Sequence, residues 1–154
     1  MAGRRIKKQS HINQHDYLGT HNICSLSANM SDVRLWSYYA DGHKGIAIEL
    51  EIREDEEHLH KVEYKDQLLE TGVGLLTRGS DILKTKTKHW EHEQEYRIIT
   101  ENTFYSVDGA IKAVYIGIRT SQADKELLTK ILPSDIPVVE TKLEAKSVTI
   151  KPIR

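Results

Sequence analysis

Apolar positions recur along the chain at two spacings, and the switches between them mark out the elements. Ile46, Ile48, Leu50 and Ile52 alternate with Ala47, Glu49 and Glu51, the period-two rhythm of a strand with one buried face. Glu95–Thr100 and Ile111–Ile118 are rich in β-branched and aromatic residues and are separated by a Val107-Asp108-Gly109 turn; this pattern predicts neighbouring antiparallel strands. Shorter runs at Ile23–Leu26, Val62–Tyr64, Val138–Val139 and Ser147–Pro152 predict further strands.

Helical spacing enters where turn chemistry precedes it. Asn29, Ser31 and Asp32 stand before Val33–Tyr39 as turn and N-cap residues, and Ser121 opens a segment with apolar positions at Ala123, Leu127, Leu128 and Ile131 that Pro133 ends. These features predict two helices, the second laying its apolar stripe on the sheet. Asp66–Glu70 and Asp81–His89 read as helical pieces separated by Gly72, Gly74 and Gly79. The expected class is α+β, with a split, mainly antiparallel sheet and a few short helices. A flexible basic lead-in over residues 1–22 precedes a single domain over 23–154.

Composition narrows the function classes. The chain has 154 residues, 22 Lys and Arg against 23 Asp and Glu, so no global field of either sign is available to hold a nucleic acid or an anionic membrane. Any contact with RNA or a protein is local. The lone Cys24 excludes an internal disulfide and a Cys-based zinc site and fits a reducing compartment. No apolar run is long enough to span a bilayer, so the expected setting is the cytoplasm, without membrane contact.

Two blocks carry the candidate chemistry. Trp36 to Gly45 crowds Tyr38, Tyr39, His43 and Lys44 around a glycine-punctuated turn between helix and strand, a position where loops commonly present binding groups. Trp36, Tyr39 and Ala40 also have the i, i+3, i+4 spacing of a buried helix face, which favours core packing for Trp36 and Ala40. Tyr38 and His43 stay open between ligand contact and structural hydrogen bonding. Trp90 to Arg97 leads into a strand, and if extended geometry begins early, Glu91, Glu93, Glu95 and Arg97 share one face. Clustered carboxylates there would repel unless cations offset them, and repulsion raises carboxylate pKa values. The other reading is a solvated charged edge with an Arg97–Glu95 pair. The eight histidines show no metal-ligand spacing, His58 and His60 read as solvent-exposed, and phosphate-loop, hydrolase-elbow and dinucleotide fingerprints are lacking.

In these blocks, W-S-x-Y-A-x-x-H-x-G over Trp36–Gly45 and W-x-x-E-x-E-Y-R over Trp90–Arg97, the chain resembles the bacterial family known as domain of unknown function 2971. The resemblance runs over about residues 23–152 by the order and spacing of its motifs. Family members begin with a tyrosine-rich first strand that residues 1–22 do not match, so the chain looks shortened. The layout is also similar to that of NAD-dependent ADP-ribosyltransferase folds. That likeness implies NAD as cofactor, Glu93 and Glu95 as the catalytic carboxylates, and Tyr38, His43 and Arg97 as cofactor-binding groups. Two functions follow: an NAD-dependent transferase or its inactive relic, and a non-catalytic module binding a nucleotide, RNA or protein.

Overall fold

The computed structural model describes residues 20–67 and 79–153. Its elements run β1 (Asn22–Ser27), α1 (Val33–Tyr39), β2 (Ile46–Leu50), β3 (Leu59–Lys61), β4 (Glu63–Lys65), α2 (Gly79–Leu83), β5 (Thr85–Thr87), a 3₁₀ helix (Lys88–Glu93), β6 (Glu95–Thr100), β7 (Ile111–Ile116), α3 (Gln122–Ile131), β8 (Val138–Glu144) and β9 (Thr149–Pro152). The fold is α+β. Its strands form a sheet of order β1-β6-β3, a sheet of order β2-β7-β8-β9 and a β4-β5 pair. The β4-β5 and β7-β8 pairs are parallel and the other pairs antiparallel. No helix among the described residues is long and apolar enough to cross a membrane.

Local chemistry explains α1 and its exit. Asp32 caps the helix, its carboxylate accepting the Arg34 N–H at 2.9 Å, one of the donors that a helix start leaves unpaired. Trp36 and Ala40 are buried with Ile150, and half-buried Met30, Ala47 and Tyr115 close around them. The Trp36 indole N–H donates to the Met30 carbonyl at 2.8 Å, so the ring is buried without a stranded donor. The helix then stops in three successive left-handed residues, Asp41, Gly42 and His43, with φ of 45°, 58° and 71°, a conformation that glycine adopts freely and Asp and His tolerate better than most. The loop closes on the end of β7. Arg119 N–H donates to the His43 carbonyl and Gly117 N–H to the Gly45 carbonyl, both at 3.0 Å.

Several expectations need correction. β6 and β7 are not neighbours: β6 lies between β1 and β3, whereas β7 lies between β2 and β8. The Val107–Gly109 turn is therefore part of a crossing between sheets and not of a hairpin. The helix expected over Asp81–His89 ends at Leu83, because Thr85 and Thr87 place β-branched residues at alternate positions and β5 pairs in parallel with β4. The piece expected over Asp66–Glu70 lies largely outside the described residues, as does most of the lead-in.

Burial departs from the simple rhythms in two places. β2 turns Ala47 toward the core, while Ile46 and Ile48 stay 37% and 52% exposed. The small residue faces the core because Trp36 already fills the space on that side. α3 is capped as expected, with Ser121 Oγ accepting Asp124 N–H at 3.1 Å, but its stripe is not sealed: Leu127 and Ile131 are largely exposed. His58 and His60 are half-buried on and beside β3 and not fully exposed; the His58 ring meets Tyr105 edge to face.

Gly117 tests how tightly the loop is seated. A Cβ there would fall 2.2 Å from the His43 carbonyl oxygen, a contact that only backbone movement can relieve. Gly117→Ala is expected to lower unfolding free energy by about 2–3 kcal/mol, read as a lower urea midpoint with unchanged slope.

Candidate functional site

The second block does not enter β6 as an extended strand. Lys88–Glu93 forms the 3₁₀ helix, and Gln94 turns the chain out of it in the left-handed region, with φ of 45°. Glu91 consequently stays exposed, and the expected row of Glu91, Glu93 and Glu95 on one strand face does not form. Glu93 and Glu95 flank the Gln94 turn and converge on one side chain from another strand, Lys86 of β5. Lys86 Nζ donates to Glu93 Oε2 through a short contact and to Glu95 Oε2 at 3.0 Å.

Further donors complete the cluster. Arg97 stands two residues beyond Glu95 on the same face of β6 and donates from Nε to Glu95 Oε1 at 2.9 Å. Its Nη1 holds the Leu83 carbonyl at 2.6 Å. Tyr39, at the end of α1, donates its hydroxyl to Glu93 Oε1 at 2.8 Å. Tyr64 of β4 accepts the Glu95 backbone N–H at 2.7 Å, and Ser27 Oγ donates to the Glu93 carbonyl at 2.6 Å. Elements α1, β1, β4, β5 and β6 thus meet at two carboxylates that are each only 4% exposed. Two anions stand against two cations, so the cluster is neutral. His60 lies opposite Arg97 in the β3–β6 register, completing that sheet face.

Titration follows from this packing. Burial pushes the Glu95 carboxyl up, but hydrogen bonds from Arg97, Ser25 and Lys86 and the charge of Arg97 outweigh it, so Glu95 titrates below the ordinary 4.5. Burial disfavours the Lys86 ammonium, yet the hydrogen bonds and charges of Glu93 and Glu95 hold its pKa above 10.5. The Tyr39 hydroxyl is pushed up chiefly by its bond to Glu93 and the Tyr64 hydroxyl chiefly by burial. The His60 imidazole is pushed down by burial, then by Lys84 and His58.

An aromatic rim stands over this floor. Tyr38 is 59% and Trp90 38% exposed, and their rings meet edge to face with centroids 6.2 Å apart. Tyr38 makes a similar contact with Tyr39 at 6.3 Å. His92 stacks on Trp90 at 6.0 Å, and Lys86 Nζ lies 5.1 Å from the Trp90 ring centroid, within cation–π range.

Of the residues singled out in the sequence, Glu93, Glu95 and Arg97 are brought together, and Tyr38 stands at the rim. His43 belongs elsewhere: its Nε2 bonds Ser37 Oγ at 2.9 Å, and its Nδ1 is buried without a hydrogen-bond partner among the described residues. Trp36 and Ala40 are core, as their spacing favours, whereas Tyr39 leaves that face, 67% exposed, to reach Glu93. Lys86, Tyr64 and Ser27 carry no motif. The alternation Thr85-Lys86-Thr87 is the available signal, since it marks a strand with Lys86 on one side. Among the described residues no group of three or more His, Cys, Asp or Glu side chains is gathered to hold a metal ion.

Removing one member of a buried ion cluster strands its partners, at a cost of about 3–5 kcal/mol. Lys86→Met is expected near the lower end, about 3 kcal/mol, because the Lys86 side chain is 22% exposed. The pH dependence has a defined sign. Because the folded pKa of Glu95 is depressed, its contribution is present above pH 4.5 and lost as pH falls through the folded value. Because that of Lys86 is raised, its contribution is present below pH 10.5 and lost as pH rises through the folded value. The melting-temperature gap between the wild type and Glu95→Gln is therefore expected to be flat around neutrality and to close in acid, as followed by circular dichroism.

Comparison with protein-family models, curated proteins and solved structures finds no match to the chain in any of the three.

Proposed function

We propose that this chain is a nucleotide-binding module, with NAD the first ligand to test, and that its Glu93–Lys86–Glu95–Arg97 cluster anchors the site without turning a ligand over. The observation that carries this reading is the placement of exposed Tyr38 and Trp90 rings directly beside a neutral, fully partnered floor. Aromatic faces stack planar bases at about 1–3 kcal/mol per base with little sequence preference. A chain of balanced charge gains little from phosphate attraction, so stacking contributes more of the binding energy. The carboxylates argue against turnover in the ground state: each is buried and held by cations, which opposes both proton abstraction and charge development on a substrate.

A specific observation keeps the transferase reading in view. Glu93 and Glu95 both lie within hydrogen-bonding reach of the single Lys86 ammonium, so the two carboxylates that the ADP-ribosyltransferase likeness singles out share one small volume. In that reading Glu95 stabilises an oxocarbenium-like transition state and Glu93 orients the acceptor, once substrate displaces Lys86.

Trp90 supplies the measurement, since the other tryptophan, Trp36, is buried in the core. Titration with NAD, AMP and a short single-stranded RNA is expected to quench Trp90 emission saturably for the nucleotides. Tyr38→Ala should weaken that binding about tenfold or more. No saturable change with NAD or AMP, checked by calorimetry, would overturn the proposal. Release of nicotinamide that Glu95→Gln abolishes with the fold intact would establish the transferase instead.

A further inference from the structure

Helix α3 lies against its sheet without sealing to it. A helix of 10 residues is marginal alone and normally depends on an apolar face pressed into a core, yet α3 buries none of its residues. Between the helix and the strands is a cavity of about 300 Å³, at the small end of the range for ligand pockets.

The two walls of this cavity differ in chemistry. The strand wall is Ile116 of β7 with Val138 and Glu140 of β8. Ile116 is buried and Val138 half-buried, and the parallel register sets Ile116 beside Glu140 and Val114 beside Val138. The helix wall is Gln122, Lys125, Glu126 and Thr129, spaced i, i+3, i+4 and i+7 along one face. Polar side chains thus border an apolar floor, and close packing gives way to a gap. Lys125 Nζ reaches over to donate to Glu140 Oε2 at 2.7 Å, linking helix to strand, and Gln122 Nε2 donates to Glu126 Oε1 at 3.1 Å. The remaining donors of the Lys125 ammonium, Glu126 Oε2 and Glu140 Oε1 have no hydrogen-bond partner among the described residues.

We propose that this cavity binds a free aliphatic α-amino acid, with its carboxylate on Lys125, its ammonium on Glu140 and Glu126, and its side chain on Ile116 and Val138. This ligand class answers all three features of the lining. A simple carboxylate would take Lys125 from Glu140 and leave that glutamate without its cation, and a simple amine would bring no partner for the free donors of Lys125. A zwitterion meets each half of the ion pair with the opposite charge, so neither is stranded. Its apolar side chain supplies the packing that α3 lacks, and the bound ligand clamps the helix to the sheet. The site is independent of the nucleotide reading, because the aromatic rim is built from α1 and the 3₁₀ helix and the cavity from α3, β7 and β8.

Amide chemical shifts of the full chain titrated with L-leucine test the proposal, with 4-methylpentanoate, isopentylamine and glycine as probes that each lack one of the three groups. The expected result is a saturable set of shifts centred on Ile116, residues 122–129 and residues 138–140, with each probe binding about tenfold more weakly or worse. Lys125→Met removes the partner of the carboxylate, and Glu140→Gln, at a side chain 53% exposed, removes that of the ammonium with little risk to the fold. Each should weaken leucine binding about tenfold or more, with unchanged circular dichroism. No saturable shift up to about 10 mM leucine would overturn the proposal. So would any of the three probes binding as tightly as leucine, and so would leucine binding that Glu140→Gln and Lys125→Met leave intact.

Discussion

Burying two carboxylates next to each other costs far more than a small fold can tolerate unless a cation stands between them. Lys86 is that cation, and much of the architecture follows from where its ammonium must be. β5 has to run beside β4 to bring Lys86 inward, the 3₁₀ helix has to end at Glu93, and β6 has to begin at once with Glu95. The Gln94 turn lets both carboxylates face the same nitrogen. Arg97 and Tyr39 then satisfy the remaining acceptor oxygens, so a cluster of high potential cost becomes a fixed joint between α1, β5 and β6.

What could be seen in the sequence follows from the range of the interactions. The N-caps at Asp32 and Ser121, the α1 core face and the strands that begin at Ile46 and Glu95 depend on neighbours within a few residues, and the sequence pattern contains those neighbours. The α+β class follows from the same local signals. The sheet partners of β6 and β7 do not, because strand order is settled by contacts far apart in the chain, and a turn between two strands looks the same whether or not they pair. β2 misleads for a related reason: alternation shows that two faces differ, but which face meets the core depends on how much space Trp36 leaves.

The site shows the same division. Glu93, Glu95 and Arg97 are legible as a charged group because they are close in sequence. Lys86 is not, since its role exists only once β5 and β6 are packed together. Tyr39 satisfies the spacing of a core residue, yet a hydroxyl drawn to a buried carboxylate outweighs burial of its ring. His43 lies within the block that carries the resemblance, but it works as a left-handed turn residue tied to Ser37. The first block is in large part the hardware that stops α1 and seats the loop against Gly117, while the second builds the floor beneath the aromatic rim.

Because Lys86 serves both Glu93 and Glu95, the three positions are not free to drift separately through descent. A lineage that lost the lysine would give up about 3 kcal/mol of stability unless one carboxylate had already become an amide or an apolar group, and a lineage that lost either glutamate would release the lysine from half its duty. The cluster therefore leaves a trace that can be read across relatives: change at 86 should accompany change at 93 or 95, while Gln94, whose task is backbone geometry, should vary chiefly among residues that accept a left-handed turn, with Gly and Asn foremost.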